Sequence, residues 1–229
     1  KRKILMDNIS VIVRTKNEER WVGHTIQSLL EFIKQPEIII VDNHSIDDTI
    51  DIVKNFKEDP ELKKRKKKSY TSVKIIDIDK YTPGKAINLG VSHSTNKYIL
   101  IISSHCVLKK FNSDKLKNDL KKYVCIFGNQ TPIWQGKKIT KRYLWSHYID
   151  NEVVNMFSEQ EDRYYMHNAL AFYKKEILEK YPFDENLMGK EDRYWVNDMI
   201  KRGHSTLYDP LISADHHYTI NGNTWKGIG

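Results

Sequence analysis

The residues best equipped for chemistry in this chain fall into short polar clusters. Arg14-Thr15-Lys16-Asn17-Glu18 closes the apolar run from Ile9, Asp42-Asn43-His44-Ser45 follows Glu37 to Val41, and Ser103-Ser104-His105 follows Tyr98 to Ile102. One polar strand end is ordinary turn chemistry. Three of them, each after a β-rich run, point to a ligand crevice. A further cluster pairs two carboxyls, Glu191-Asp192, after Met188-Gly189-Lys190 and at the start of a helical pattern. Acidic residues favour helix starts for electrostatic reasons alone. A paired carboxyl can also take a proton from a hydroxyl. Late in the chain comes Asp215-His216-His217, two adjacent imidazoles after a carboxylate.

The elements that must position these residues alternate in the first half. Buried strands are expected at Ile9–Arg14 and Glu37–Val41, and further strands at Ser72–Ile78 and Tyr98–Ile102. Between them, Trp21, Val22, Ile26, Leu29, Leu30 and Ile33 recur at helical spacing. Ile50, Val53 and Phe56 mark a second helix, capped by Ser45 or Asp47, and Pro83-Gly84 opens a third. This β-α alternation implies an α/β fold with a parallel sheet flanked by helices. Ligands in such sheets sit at the carboxyl ends of the strands, where the polar clusters lie. The second half is less regular. It predicts helices over about 142–157, 174–180 and 191–202, short strands near 205–208 and 211–214, and a strand at Ala169-Leu170-Ala171-Phe172. We expect one domain over 1–229, a nucleotide-binding half (1–108) and an acceptor-binding half (109–229), and a piece of a longer protein.

The formal net charge of +8 suits an anionic partner, and much of the excess sits in Lys63-Lys64-Arg65-Lys66-Lys67-Lys68. That run reads first as a solvated loop and second as a contact to an anionic membrane surface. It lacks the aromatic interleaving of a nucleic-acid binder, and no nucleic-acid partner is expected. No apolar run approaches the roughly 20 residues of a membrane span. Cys106 and Cys125 are too few for a disulfide framework, which makes a reducing cytoplasm the default.

ISVIVRTKNEE, a helix, and then EIIIVDNHSIDDT resemble the opening of the family 2 glycosyltransferases, which have the GT-A fold. PGKAINLG followed by YILIISSHCVL continues that family's order, and GKEDRYWVNDMIKRG supplies its Glu-Asp signature. The resemblance runs from about Ile9 to Tyr218. It implies a metal-dependent, inverting transfer of a sugar from a nucleotide-sugar donor to the hydroxyl of a glycan or glycolipid acceptor, in surface polysaccharide or glycoconjugate synthesis. It also implies roles. Asp42 would contact the base or ribose, with Arg14, Thr15, Asn43, Ser103 and Ser104 around the nucleotide sugar. Asn17 and Glu18 would brace the Arg14 loop, and Lys85 and Asn88 would approach the diphosphate. Asn168 would face the donor sugar. Asp192 would be the general base, with Glu191 binding an acceptor hydroxyl or orienting the site. Trp134, Trp145, Tyr148, Tyr164 and Tyr165 are candidates to stack on sugar faces, although Trp145 and Tyr148, at helical spacing, read first as core.

The family's Asp-x-Asp metal motif is replaced here by Ser103-Ser104-His105. Related enzymes that glycosylate polypeptides use Asp-x-His with a later histidine, which His216 or His217 could supply. Imidazole ligands favour Mn²⁺ over Mg²⁺. The alternative is that these histidines bond phosphate directly and no metal is used. Two other functions compete: a sugar nucleotidyltransferase, disfavoured because RTKNEE has no glycine, and a nucleotide-sugar-binding module that has lost catalysis.

Overall fold

The computed structural model describes residues 8–57, 72–138 and 143–219. The basic run Lys63 to Lys68 lies outside the described residues.

Uninterrupted β-branched runs set the first half of the sheet. β1 (Ile9–Thr15) lies between β2 (Glu37–Asp42) and β4 (Tyr98–Ser103), and β3 (Ser72–Asp77) flanks β2, all of them parallel. Ile, Val and Leu fill both faces of β1, β2 and β4, as a strand covered on both sides requires. The register brings the polar ends level: Thr15 pairs with Asp42 and Arg14 with Ser103. The chain winds β1 to β2 to β3 and then returns to the far side of β1 as β4, so a crevice opens at the β1–β4 switch.

Helices α1 (Val22–Phe32), α2 (Thr49–Lys54) and α3 (Pro83–Ser92) connect these strands. α3 starts where Thr82 accepts from the Lys85 amide and Pro83 occupies the first turn. Asp47, not Ser45, supports the start of α2, accepting from the Thr49 amide at 3.0 Å. Gly84 permits a close crossing, because a Cβ there would sit 2.3 Å from the Asp184 carbonyl oxygen.

The sheet then becomes mixed. β5 (Cys106–Lys110), α4 (Ser113–Asp119) and β6 (Cys125–Trp134) follow, with β7 at Lys137–Lys138 paired to β6. β11 (Leu170–Lys174) runs antiparallel between β4 and β6, and β12 (Thr206–His217) runs parallel to β6 and antiparallel to β5. The full order is β3-β2-β1-β4-β11-β6-β12-β5. Two expectations are corrected. The strands foreseen at 205–208 and 211–214 are one strand whose pairing slips between Asp209 and Ser213, around Pro210. The helix foreseen over 142–157 is only α5, Tyr143–Ser146. Beyond it the backbone is used by tertiary partners: Ile149 O accepts from the Tyr208 hydroxyl, and β8 (Val153–Val154) pairs with β12.

β9 (Phe157–Ser158) and β10 (Arg163–Tyr164) form a small hairpin, tied to α7 (Glu191–Lys201) by two Asn197–Tyr164 hydrogen bonds. α6 (Lys175–Lys180) follows β11. Trp145, Tyr148 and Tyr165 are core residues, so none of the three offers a face to a sugar. Tyr165 fell to the core because His147 stacks on one side of it, at 3.9 Å, and the Arg193 guanidinium lies 4.3 Å from the ring. Both cysteines are free and buried. No described helix is long and apolar enough to cross a membrane.

Candidate functional site

A cavity of about 280 Å³ opens at the carboxyl ends of β1, β2 and β4. Arg14, Thr15, Lys16, Asn43, Ser103 and Ser104 form one wall, and the segment Met188–Asp192 forms the facing one. Tyr81 and Pro83 close one side; Glu18, His105, His167, Asn168 and His216 line the remainder. Thr15 Oγ1 is buried and has no partner among the described residues.

Several of the expected donor-binding residues bond loop groups within the protein. Asp42 is 2% exposed and does not line the cavity. Its two oxygens accept from the Ser45 amide (2.8 Å) and hydroxyl (2.6 Å), folding the loop back on the strand end. Asn17 Oδ1 accepts from the Ile46 amide, and the Glu18 amide donates to Thr49 Oγ1. Lys85 reaches the Asp79 carbonyl at 2.7 Å, and the Asn88 side chain bonds Phe183 and Glu185; neither lines the cavity.

A chain of buried polar groups crosses the cavity floor. Glu18 Oε1 lies 3.0 Å from His105 Nδ1, His105 Nε2 lies 3.1 Å from His216 Nε2, and His216 Nδ1 lies 2.7 Å from Gln130 Oε1. A carboxylate can only accept, so His105 Nδ1 carries a proton. The amide oxygen likewise assigns one to His216 Nδ1. Both Nε2 lone pairs then face each other and need a cation, either a proton or a metal ion, between or beside them. Burial, with His105 nearby, holds the His216 pKa well below its ordinary value, which disfavours the proton there. An oxygen acceptor behind each imidazole, Glu18 for His105 and Gln130 for His216, fixes the ring as it would for a metal-bound histidine. The donor set therefore fits a divalent ion, as two nitrogen ligands only. Among the described residues no three His, Cys, Asp or Glu side chains converge to hold one unaided. His217 points to the opposite face of β12 and stacks on Trp21 at 3.7 Å, away from the other two. His167 is neutral: burial, and then Arg193, bring its pKa down to about 3.

On the facing wall the two carboxyls at the start of α7 differ. Asp192 Oδ1 accepts from the Arg193 amide (2.9 Å), and its Oδ2 accepts from the Asn168 amide (3.1 Å) and Arg193 Nη1 (2.8 Å). Burial pushes its pKa up, but Arg193 and the other partners outweigh that, and the net shift is downward. Glu191 Oε1 meets Arg14 Nη1 at 3.1 Å and Asn168 Nδ2 at 3.5 Å. Burial and the neighbouring Asp192 anion leave its pKa raised despite Arg14. Asn168 is held by Tyr173, whose hydroxyl donates to Asn168 Oδ1 at 2.6 Å.

Sequence reasoning missed Gln130, Tyr81, Lys190 and Arg193. Arg193 could have been found, since a cation directly after a buried acid is a natural partner. Gln130 sits within β6, which had no clear signal.

A family model described as glycosyl transferase family 2 matches residues 10–182, stopping short of Glu191. The dolichyl N-acetyl-alpha-D-glucosaminyl phosphate 3-beta-D-2,3-diacetamido-2,3-dideoxy-beta-D-glucuronosyltransferase of Methanococcus voltae is 27% identical over 121 residues, 52% of this chain and 34% of that protein. An uncharacterized glycosyltransferase of Rickettsia conorii is 31% identical over 122 residues, 52% of this chain and 18% of its own length. The chain thus spans about a third or less of the curated relatives it matches. Staphylococcus aureus TarS 1-349 in complex with UDP-GlcNAc superposes with a TM-score of 0.64 at 20% identity, covering 94% of this chain and 60% of that one. The mannosyltransferase PcManGT from Pyrobaculum calidifontis, in complex with GDP-Man and Mn²⁺, gives 0.64 at 16% identity, with 96% and 59% covered. These likenesses are of fold, and that fold is GT-A.

Proposed function

The chain belongs to glycosyl transferase family 2, and from that membership we propose that it moves a glycosyl group from a nucleoside-diphosphate sugar to a carbohydrate hydroxyl with inversion. One observation carries the proposal: a single cavity joins a wall of strand-end polar groups to a facing wall with two buried carboxyls. Arg14, Thr15, Asn43, Ser103 and Ser104 take the nucleotide diphosphate, with Asp42, Asn17 and Glu18 holding the loops that present them. Asn168 faces the donor sugar, and a carboxyl of the Glu191–Asp192 pair takes the acceptor proton. The acceptor is a glycan or glycolipid of surface polysaccharide or glycoconjugate synthesis. The enzyme works in the cytoplasm, with Lys63–Lys68 drawn to an anionic inner membrane face.

His105 and His216 would hold a divalent ion, Mn²⁺ before Mg²⁺, oriented by Glu18 and Gln130. Such an ion neutralises negative charge on a departing diphosphate. The chain's own contribution is to fix both imidazole tautomers and keep His167 neutral beside them.

The proposal is tested by thermal shift against UDP, GDP, CMP and dTDP sugars, with and without Mn²⁺. A ligand that binds only the native state at 100 times its Kd adds about 2.7 kcal/mol, so at least one nucleoside-diphosphate sugar should raise the melting temperature clearly. No shift with any of them refutes the reading. Product from the active donor should have the opposite anomeric configuration. Full activity in EDTA, with no gain from added Mn²⁺, would remove the ion and leave the histidines as direct phosphate ligands.

A further inference from the structure

A second cavity, of about 350 Å³, is lined by Gln160, Glu161, Arg163 and Lys190. Lys190 lines the cleft as well, so the two openings meet at the head of α7. We propose that this second cavity is a carbohydrate subsite, holding a neutral sugar unit of the acceptor next to the unit that receives the transferred group. The proposal rests on the transferase reading of the cleft. The volume is that of a small-ligand site, and one carboxylate organises it. The Glu161 side chain is 6% exposed, and its buried Oε2 accepts no hydrogen bond from any described residue. Arg163 Nε lies 3.9 Å and Lys190 Nζ 4.0 Å from that oxygen, and Arg193 Nε lies 3.7 Å from Oε1. These are ion pairs too long to be hydrogen bonds. Charge therefore holds Lys190 beside Glu161 without engaging its N–H donors on that carboxylate. Lys190 takes this place in the left-handed region, at φ 59°, a conformation that a side-chain-bearing residue keeps only where its surroundings impose it.

Sugar hydroxyls both donate and accept, and the lining answers in both senses: the Gln160 amide can do either, and the Lys190 ammonium donates. A flat ring stands at the rim. Tyr194 is 53% exposed, one helical turn past Lys190, and the Arg163 guanidinium lies 5.6 Å from its ring. The C–H face of a pyranose can pack on such a ring while the phenol keeps its polar end in water. Tyr164 does not share this place. It follows Arg163 on β10 and so belongs to the other face of the hairpin, where its ring meets that of Phe157 edge-on at 5.4 Å. Charge favours a neutral occupant. Asp192 answers Arg193 at 2.8 Å, and Arg163 and Lys190 are counter-charges of the buried Glu161. A phosphate would have to draw those two cations away from a buried carboxylate, which is costly. A hydroxyl leaves them where they are.

The test is saturation-transfer NMR on wild type, Tyr194→Ala, Tyr194→Phe and Glu161→Gln. The probes are neutral disaccharides of glucose, galactose, mannose and N-acetylglucosamine, with glucose 6-phosphate as the anionic probe. At least one disaccharide should bind the wild type more tightly than glucose 6-phosphate does. Its affinity should fall about fivefold or more in Tyr194→Ala, as truncation of a contacting tyrosine typically does, and return in Tyr194→Phe, which keeps the ring. Glu161→Gln keeps the size but removes the counter-charge, so it should bind glucose 6-phosphate more tightly than the wild type. The melting shift induced by the stabilising nucleotide sugar should persist in all three variants, which shows that each is folded with its cleft intact. A wild type that prefers glucose 6-phosphate overturns the neutral occupant. Disaccharide affinity unchanged in Tyr194→Ala puts the sugar elsewhere and overturns the subsite. So does a wild type that binds a nucleotide sugar but no disaccharide, and that result leaves the transferase reading standing. Disaccharide binding that depends on Tyr194, with no nucleotide sugar bound, overturns the transferase reading and the acceptor role with it.

Discussion

The two walls of the cleft use their polar residues in opposite ways. On the strand-end wall, side chains hold loops to each other: Asp42 to Ser45, Asn17 to Ile46, Glu18 to Thr49, Glu19 to Asp48. The buried carboxylates there, Glu18 and Asp42, face loop groups, and among the described residues the Thr15 Oγ1 hydroxyl has no partner beside the cavity. On the helix wall, Glu191, Asp192 and Arg193 are all buried, and Asp192 and Arg193 pair with each other as well as with the backbone. The first wall is a frame that awaits a polar ligand. The second carries its own electrostatics before any ligand arrives. Substitutions should therefore act on binding at the first wall and on stability as well as rate at the second.

The largest effect should come from breaking the helix wall at Arg193. Arg193→Met keeps the apolar stem but strands Asp192 as a buried, half-compensated anion, which typically costs 3–5 kcal/mol. Equilibrium denaturation should show a loss of about that size, and Asp192→Asn in the same background should recover part of it, since the two sites are coupled. Additive losses from the two changes would mean that Arg193 does not act through Asp192. Next in size is Gly84→Ala, where the new Cβ would meet the Asp184 carbonyl and force the 183–185 segment off α3. Overpacking of this kind costs typically 1–3 kcal/mol. Because Asn88 also anchors that segment, the loss should appear in stability without touching the donor-induced melting shift. On the strand-end wall, Asp42→Asn retains size and one acceptor oxygen, so about 1 kcal/mol should be lost. Nucleotide affinity should fall only as far as the loosened loop allows. A collapse of affinity with stability intact would return Asp42 to direct contact with the donor.

Legibility in the sequence followed the same division. Continuous Ile, Val and Leu runs announced β1, β2 and β4, and their polar ends announced the crevice, because a strand covered on both faces needs no partner information to be recognised. β5 and β6 were not foreseen, since their mixed composition makes sense only beside β12 and β11. The helix expected over 142–157 failed for a related reason. Trp145 and Tyr148 have helical spacing and are indeed buried, but the backbone after Ser146 is claimed by β12 and Tyr208. At the site, Glu191-Asp192 and the His105–His216 meeting were readable from motif order. How each carboxyl is partnered was not, because it depends on where the Arg14 and Arg193 guanidinium groups turn. Nor could the sequence tell that Asp42 spends its oxygens on Ser45, three residues away.

The smallest effect tests the frame at its edge. Family resemblance places Lys85 near the diphosphate, whereas its ammonium lies 2.7 Å from the Asp79 carbonyl and outside the cavity wall. The helix start does not depend on that side chain, because Thr82 Oγ1 accepts from the Lys85 backbone amide, which alanine keeps. Alanine is also the better helix former. Lys85→Ala should therefore change stability by less than about 0.5 kcal/mol, as exposed substitutions generally do. It should leave the donor-induced melting shift unaltered at any salt concentration. A drop in donor affinity that shrinks as ionic strength rises would show the opposite. The ammonium would then turn from Asp79 to the phosphates when the donor arrives, in a charge-assisted contact that salt screens. Since the residue starts on an exposed hydrogen bond to a neutral carbonyl, that exchange would cost little, and titrating the variant with the stabilising nucleotide sugar at two salt concentrations decides between the two.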